Sequence, residues 1–134
     1  MGTLHDREAL KHLLNGAVAL VHCAGAVRGI TYRDFARTNV DGMQALLHAA
    51  GPELRVVHIS SLAARHPALS DYAASKRAGE LCVAAAVPAP QRVVLRPPAV
   101  YGPGDRELRP LLDAMLRGFA LLPGHRDARF SLLH

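Results

Sequence analysis

Three short, mainly apolar runs separated by helix-length segments constrain the fold of this chain more than any other feature. The runs span residues 17–21, 55–59 and 92–95, and each has the length of a strand in a parallel sheet. The first is wholly apolar, which predicts a strand buried on both faces. Alternating strands and helices are the pattern of an open parallel α/β sheet. Right-handed crossovers are expected to place helices on both faces of this sheet and chemistry at the carboxyl ends of its strands.

The segments between the runs carry the signals that begin and end helices. The first predicted helix spans residues 6–15, with Asp6 as its N-cap. Thr31 and Asp34 resemble a capping box that opens a second helix towards Ala50. Two further helices are predicted, from Ser70 through Val87 and from Asp105 through Leu116.

Length and composition bound the class of protein. With 134 residues the chain is long enough for one domain and too short for two. Hydrophobic residues make up 50% of it, so it can fill a core, and a disordered chain is excluded. The longest apolar stretches are strand-sized or interrupted, which argues against a membrane span. The amino terminus lacks the basic head and apolar run of a signal peptide, so we expect a reduced, cytoplasmic protein.

The net charge of +5 raises the question of a nucleic-acid partner. The basic residues are scattered among acids, and no aromatic side chains interleave with them as a stacking platform requires. We therefore expect no nucleic-acid binding. Cys23 and Cys82 form no recognisable metal or redox pair, and the eight histidines form no Cys/His cluster, so no metal site is predicted.

A tyrosine and a lysine with helical spacing suggest proton transfer. Tyr72 and Lys76 lie four residues apart, which places both side chains on one face of a helix. A free phenol has a pKa of about 10 and exchanges protons poorly at neutral pH. A fixed ammonium one turn away favours the phenolate. Ser61, which follows the second strand, offers a hydroxyl that could hold a substrate oxygen.

These features, taken in chain order, resemble the NAD-dependent epimerase/dehydratase branch of the short-chain dehydrogenase/reductase superfamily. The resemblance covers nearly the whole chain and rests on five motifs in the family's order. The motifs are Val21-His22-Cys23-Ala24-Gly25, Thr38-Asn39-Val40-Asp41-Gly42, Ile59-Ser60-Ser61, Tyr72-x-x-x-Lys76, and residues 95–104, which begin Leu95-Arg96-Pro97-Pro98 and end Pro103-Gly104.

The resemblance implies a partial Rossmann fold, a doubly wound parallel sheet, as one NAD(P)-binding domain over residues 1–134. It implies that Tyr72 is the general acid/base, that Lys76 holds the nicotinamide ribose and lowers the pKa of the tyrosine, and that Ser61 positions the reacting oxygen, with Ser60 as the alternative. The implied contacts to NAD or NADP come from Leu4, Cys23, Ala24, Gly25, Asn39, Tyr72, Lys76, Pro97, Pro98 and Val100. Relatives read Gly-Asp before the residue that corresponds to Leu4, and Thr3 stands in place of that aspartate.

The chain departs from the family at its phosphate-binding turn. The family meets the pyrophosphate with a glycine-rich turn after its first strand, and no such turn occurs here. We therefore expect a fold truncated at both ends, without the amino-terminal turn and the carboxyl-terminal substrate region. The isolated chain is then expected to bind NAD(P) weakly or not at all. A missing first strand would leave a sheet edge open to aggregation or to a homodimer.

Several alternatives remain open at this point. The substrate is a small molecule, either a nucleotide sugar, a sterol-like alcohol or another secondary alcohol, and the ten residues between Ser61 and Tyr72 are fewer than in typical nucleotide-sugar epimerases. Arg96 could anchor a substrate phosphate or form a local salt bridge. His22 and His58 at strand ends are expected to be packing residues, and Cys23 a small packed residue. A non-catalytic NAD(P)-binding scaffold or an inactive gene fragment is the alternative to an enzyme.

Overall fold

The computed structural model describes residues 3–106, 108–119, 125, 127, 129 and 131–134. These residues form two units, Met1–Arg96 and Pro97–His134. The first unit contains helices α1 (Arg7–Leu14), α2 (Tyr32–Ala36), α3 (Met43–Ala49) and α4 (Asp71–Ala86), and strands β1 (Ala19–His22), β2 (Arg55–Ile59) and β3 (Arg92–Leu95). The second contains β4 (Ala99–Val100), α5 (Arg109–Leu116) and β5 (Leu132–Leu133).

The three strands of the first unit form a parallel sheet in the order β1-β2-β3. Val21, Val57 and Val93 are partners across it, so the carboxyl ends of the strands lie at one edge. The predicted bounds of β2 and β3 are confirmed. β1 begins two residues later than predicted because Gly16, with φ +74°, turns the chain and the Ala17 amide still bonds back to Leu14.

The predicted helix starts are confirmed by their caps in the first unit. The Asp6 carboxylate accepts from the Ala9 amide at 3.1 Å, and the Ser70 hydroxyl accepts from the Ala73 amide at 3.1 Å. The Asp34 carboxylate accepts from the Thr31 amide at 2.8 Å. Within the described part of the chain, no helix combines the length and the apolar character that a membrane crossing requires.

The second predicted helix is interrupted. Residues 37–42 form a turn of π-helix between α2 and α3, where the sequence predicted one continuous helix. Such turns insert a residue into the helical ladder and commonly occur at functional sites. This one carries Asn39, whose side chain is buried.

The core of the first unit lies on one face of the sheet only. Leu46, Val56 and Val83 meet there, from α3, β2 and α4. The prediction that the first strand is buried on both faces is wrong, because Val21 is 62% exposed. The expected helices on both faces are likewise not found among residues 3–96, which are the described part of this unit. Three strands that follow one another in a single direction through right-handed crossovers place their helices on the same face.

The described residues of the second unit include a short parallel pair of strands and a helix. β4 pairs with β5, with Ala99 opposite Leu132. The predicted helix 105–116 begins instead at Arg109, where Pro110 occupies the first turn because it needs no amide partner there. The Asp105 carboxylate accepts from the amide of Leu108 at 3.2 Å, and Leu108 is the residue that directly precedes the helix.

Candidate active site at the carboxyl ends of the strands

The predicted tyrosine and lysine lie on α4, and a hydrogen bond from the lysine connects that helix to the end of β2. Lys76 is 6% exposed, and its Nζ donates to the Ile59 carbonyl at 2.9 Å. Tyr72, one turn earlier, is half-buried, with its ring edge-on to Phe35 at a centroid distance of 5.9 Å. The helix therefore places Lys76 at the carboxyl end of the sheet, with Tyr72 one turn before it and packed against α2.

The two serines after β2 have different surroundings. Ser60 is buried, and its hydroxyl donates to Glu80 Oε1 at 2.6 Å. Ser61 is half-buried, and its Oγ accepts from the Ala63 amide at 3.2 Å, which leaves its own hydrogen available to a ligand oxygen. Within the described residues, the hydroxyl hydrogen of Ser60 is therefore engaged by Glu80, and that of Ser61 is not engaged.

Asn39 joins the loop after β1 to the tyrosine's helix. Its Oδ1 accepts from the Ala26 amide at 2.8 Å, and its Nδ2 donates to the Ala26 carbonyl at 3.1 Å and to Ser75 Oγ at 2.9 Å. Ser75 in turn donates to the Tyr72 carbonyl at 2.7 Å. Asn39 therefore acts on the loop and on α4 through buried hydrogen bonds, a role that the sequence did not predict.

The loop that the resemblance assigns to the cofactor runs close to Lys76. A methyl group built on Gly25 would lie 3.3 Å from Asn39 Oδ1 and 3.5 Å from Lys76 Nζ. Cys23 and Ala24 before it are exposed. The expectation that Cys23 is a packed residue is therefore wrong, because the strand ends at His22 and the thiol lies on the open side of the loop.

Leu4 is half-buried and packs against the helix segment that follows Asn39. A methyl group on Gly42 would lie 2.9 Å from Leu4 Cδ1. Leu4 also lines an open depression of about 500 Å³ together with Arg33 and Arg37. Its position is therefore on the surface of the same unit as Tyr72 and Lys76.

The remaining predicted cofactor residues belong to the second unit. Pro97 and Pro98 are half-buried, and Val100 lies in β4 and is 56% exposed. A nearby depression of about 370 Å³ is lined by Tyr101, whose ring meets that of His134 at a centroid distance of 5.0 Å. The role of Pro97, Pro98 and Val100 in cofactor binding remains a prediction.

A buried carboxylate ties the ends of two strands to α4. Glu80 accepts from Arg96 through Nε at 2.7 Å and Nη2 at 2.6 Å, and also from Ser60 and Arg77. Burial by itself would raise the pKa of Glu80, but the hydrogen bonds from Arg96, Ser60 and Arg77 outweigh it and hold the pKa at about 2. The sequence left two roles open for Arg96, a substrate phosphate anchor and a local salt bridge. The structure shows the salt bridge, with Glu80 as the partner.

Two buried histidines meet beneath the site. His22 and His58 approach with Nδ1 atoms 3.3 Å apart, so that one ring must donate and the other accept. Burial lowers the pKa of His58 to about 4, and the charges of Lys76 and His22 add to this, while Glu80 opposes it. Burial and Lys76 also lower the pKa of His22. Both rings are therefore neutral at physiological pH.

This pair is expected to make the fold acid-sensitive. Between pH 6.5 and about 4, an unfolded His58 binds a proton that the folded ring does not. Stability is then fully present above pH 6.5 and falls as the pH drops towards 4, by up to about 1.4 kcal/mol per pH unit for each such ring. Thermal melts across this range should show a shallower slope for His58→Gln than for the parent protein. His48→Gln, at an exposed site, should leave the slope unchanged, and equal slopes for both variants would contradict the assignment.

Sequence reasoning missed Ser75 and Glu80. Tyr72, Lys76 and Glu80 occur at every fourth position, so Glu80 shares the helix face of the two predicted catalytic residues. That periodicity was available in the sequence, but the buried state of the acid and its partners depends on strands distant in the chain. Ser75 carried no signal, since its role depends on the position of Asn39.

Comparisons with known proteins agree with this architecture. The sequence model of the NAD-dependent epimerase/dehydratase family matches residues 1–133. Ceramide reductase of Caulobacter vibrioides is 42% identical over 134 residues, an alignment that covers 99% of this chain and 42% of that protein. The chain therefore spans less than half the length of this relative.

Solved structures with the same fold include two that contain nicotinamide cofactor. A DesIV double mutant, a dTDP-glucose 4,6-dehydratase from Streptomyces venezuelae with NAD and DAU bound, has a TM-score of 0.67 and 25% identity, over 87% of this chain and 44% of that one. WbmH of Bordetella bronchiseptica in complex with NAD+ has a TM-score of 0.70 and 21% identity, over 87% of this chain and 46% of the other. The second likeness bears on the fold alone.

Proposed function

This chain belongs to the NAD-dependent epimerase/dehydratase family, and on that premise we propose that it carries the catalytic core of an NAD-dependent oxidoreductase. The reaction is the interconversion of a carbonyl and a secondary alcohol. The observation that supports it most directly is the arrangement around β2: Lys76 bonds to the last residue of the strand, Ser61 follows that strand, and Tyr72 lies one helical turn before Lys76.

Each of the three residues has a distinct task in the proposal. The Ser61 hydroxyl donates to the substrate carbonyl oxygen, which orients the carbonyl carbon. The Tyr72 hydroxyl gives its proton to that oxygen as negative charge develops, and takes it back in the reverse direction. Lys76 donates to the ribose hydroxyls and keeps a positive charge near the phenol. The nicotinamide, when bound, supplies or accepts the hydride.

The residues near Lys76 fit the nicotinamide half of the cofactor. Lys76 has three N–H donors, and the bond to the Ile59 carbonyl uses one of them. Gly25 allows a ligand to approach Lys76 where a larger side chain would project. The depression beside Leu4 is proposed to take the adenine ring. NAD is preferred to NADP because the family and the DesIV structure are described with NAD.

For the substrate we propose a lipid ketone of the ceramide type. The support is the 42% identity to a ceramide reductase across 99% of this chain. A nucleotide-sugar substrate is the second candidate, supported by the 25% identity to a dTDP-glucose 4,6-dehydratase. The ten-residue segment between Ser61 and Tyr72, shorter than is typical of nucleotide-sugar epimerases, favours the lipid.

The test is an assay of NADH oxidation with protein purified from its own cells, so that the activity is measured at its natural length. Two substrates are compared, the ketone form of ceramide in mixed micelles and a dTDP-4-keto sugar, with empty micelles as the control. NADH oxidation with the lipid alone is the expected result. Turnover of the sugar only would replace the substrate, and NADH binding without turnover of either would favour the non-catalytic alternative.

A further inference from the structure

Glu80 has a set of partners that a surface acid does not have. Its side chain is 4% exposed and receives hydrogen bonds from Ser60 after β2, from both sides of the Arg96 guanidinium after β3, and from Arg77 on its own helix. A bidentate arginine–carboxylate contact fixes both distance and orientation. Glu80 therefore fastens α4 to the carboxyl ends of two strands at once.

The same carboxylate lies one helical turn after Lys76. Residues four apart on a helix share a face, and the negative charge of Glu80 acts on the Lys76 ammonium. Burial lowers the pKa of Lys76, and Glu80 opposes that effect. A buried ammonium without a nearby counter-charge releases its proton readily.

Among the residues that the structure describes, the other groups around Lys76 do not supply that counter-charge. His22 from β1 and His58 from β2 act on Lys76 only as positive charges if protonated. On the remaining elements that pack against α4, the charged side chains are exposed or only partly buried, or bonded to Glu80 itself. They are Arg33 and Asp34 on α2, Arg37 and Asp41 on the π turn, Arg65 and His66 after β2, Arg92 and Arg96 on and after β3, and His48 on α3.

We infer that Glu80 is a positioning residue of the proposed site, which holds α4 in register with the ends of β2 and β3 and keeps Lys76 protonated. The inference rests on the proposed function for its meaning in catalysis. It also assigns Arg96 to Glu80 rather than to a substrate phosphate, since the Nε and Nη2 donors that a phosphate would take are both bonded to the carboxylate.

The chain offers a direct test, because it contains two lysines, Lys11 and Lys76. In protein labelled with ¹³C- and ¹⁵N-lysine, each ammonium gives its own titrating NMR signal, and Lys11→Arg assigns them. Lys11 lies on α1 with its side chain 58% exposed, so it serves as an internal control. In Glu80→Gln, the midpoint of the Lys76 titration is expected at lower pH than in the parent protein, with that of Lys11 unchanged.

The direction of the shift separates this role from simple loosening of the fold. If the substitution merely opened the structure, Lys76 would become more hydrated and its titration would move to higher pH, towards that of an exposed lysine. A Lys76 midpoint in Glu80→Gln that is unchanged or higher would therefore overturn the inference.

A double variant keeps the test decisive if Glu80→Gln does not fold. Glu80→Gln with Arg96→Gln removes the buried carboxylate together with its partly exposed guanidinium partner, and leaves two amides that can bond to each other. The Lys76 midpoint is again expected at lower pH than in the parent, and an equal or higher midpoint contradicts the inference. Circular dichroism checks that each variant is folded.

These measurements need no cofactor, so they remain decisive if the proposed function fails. Where the protein from its own cells oxidises NADH, a further readout applies. As the pH is raised, Glu80→Gln should lose NADH affinity at a lower pH than the parent protein does. Glu80→Asp keeps the negative charge and should restore part of the pH range over which NADH binds. An NADH-binding profile of Glu80→Gln that matches the parent at every pH would overturn the assignment of Glu80 to this site.

Discussion

Replacing Tyr72 with phenylalanine is expected to lower turnover in the proposed reaction by about 10²–10⁴-fold, the usual contribution of a positioned general acid. Phenylalanine retains the ring that lies edge-on to Phe35 and loses only the hydroxyl. The variant should therefore fold as the parent does and bind NADH with little change. The loss should appear in kcat rather than in KM, because the missing proton transfer occurs after both ligands are bound.

Tyr32 supplies a matched control for this experiment. It lies at the start of α2 and is 42% exposed, so Tyr32→Phe makes the same chemical change away from the proposed reacting atoms. Its turnover is expected to equal that of the parent protein. If Tyr72→Phe also turned over at the parental rate, Tyr72 would not be the proton donor, and the scaffold alternative would gain support.

Substituting Gly79 with alanine is expected to destabilise the fold strongly. A Cβ at this position would lie 2.5 Å from the carbonyl oxygen of Asn39, far inside van der Waals contact. Alanine favours a helix over glycine by about 1 kcal/mol, but here the obstacle is backbone, which cannot rotate aside. Overpacking of this kind costs about 1–3 kcal/mol or more, so we expect a net loss at the upper end of that range for alanine and a larger loss for valine.

The same clash displaces Asn39, so the substitution is expected to disturb the candidate active site as well as the stability of the fold. Urea denaturation measures the loss, and Gly51→Ala is the matched control because a Cβ there meets nothing within 4 Å. The control should lie within about 0.5 kcal/mol of the parent protein. Equal midpoints for the two variants would mean that α4 does not approach the π turn as closely as described.

The local elements of this fold could be predicted because their signals are local. A capping side chain such as Asp6 or Ser70 bonds to an amide three residues ahead, so both partners are visible in a short window of sequence. Strands 55–59 and 92–95 are bounded by proline, glycine and polar residues in the same way. The interruption of the second helix had no such signal, because the π turn accommodates contacts between Asn39 and a loop that precedes it by 13 residues.

Helical spacing and motif order predict Tyr72, Lys76 and Ser61 as catalytic residues, and their catalytic roles remain predictions to be tested by the experiments above. The sequence favours Ser61 over Ser60 by motif register, but it carries no signal for the hydrogen bond from Ser60 to Glu80, because Glu80 lies 20 residues further along the chain.

By itself, the sequence determined the class of this protein and the order of its strands and helices, since these depend on spacing and on chemical type, and it predicts which residues carry the chemistry. Tertiary structure alone decided the state of its buried charges. Glu80 selects Arg96 and Ser60 as partners, and His22 meets His58, only because the parallel sheet brings the ends of its strands together. Burial then sets which of these groups carry charge, and desolvation is a property of the whole surrounding fold that no short window of sequence contains.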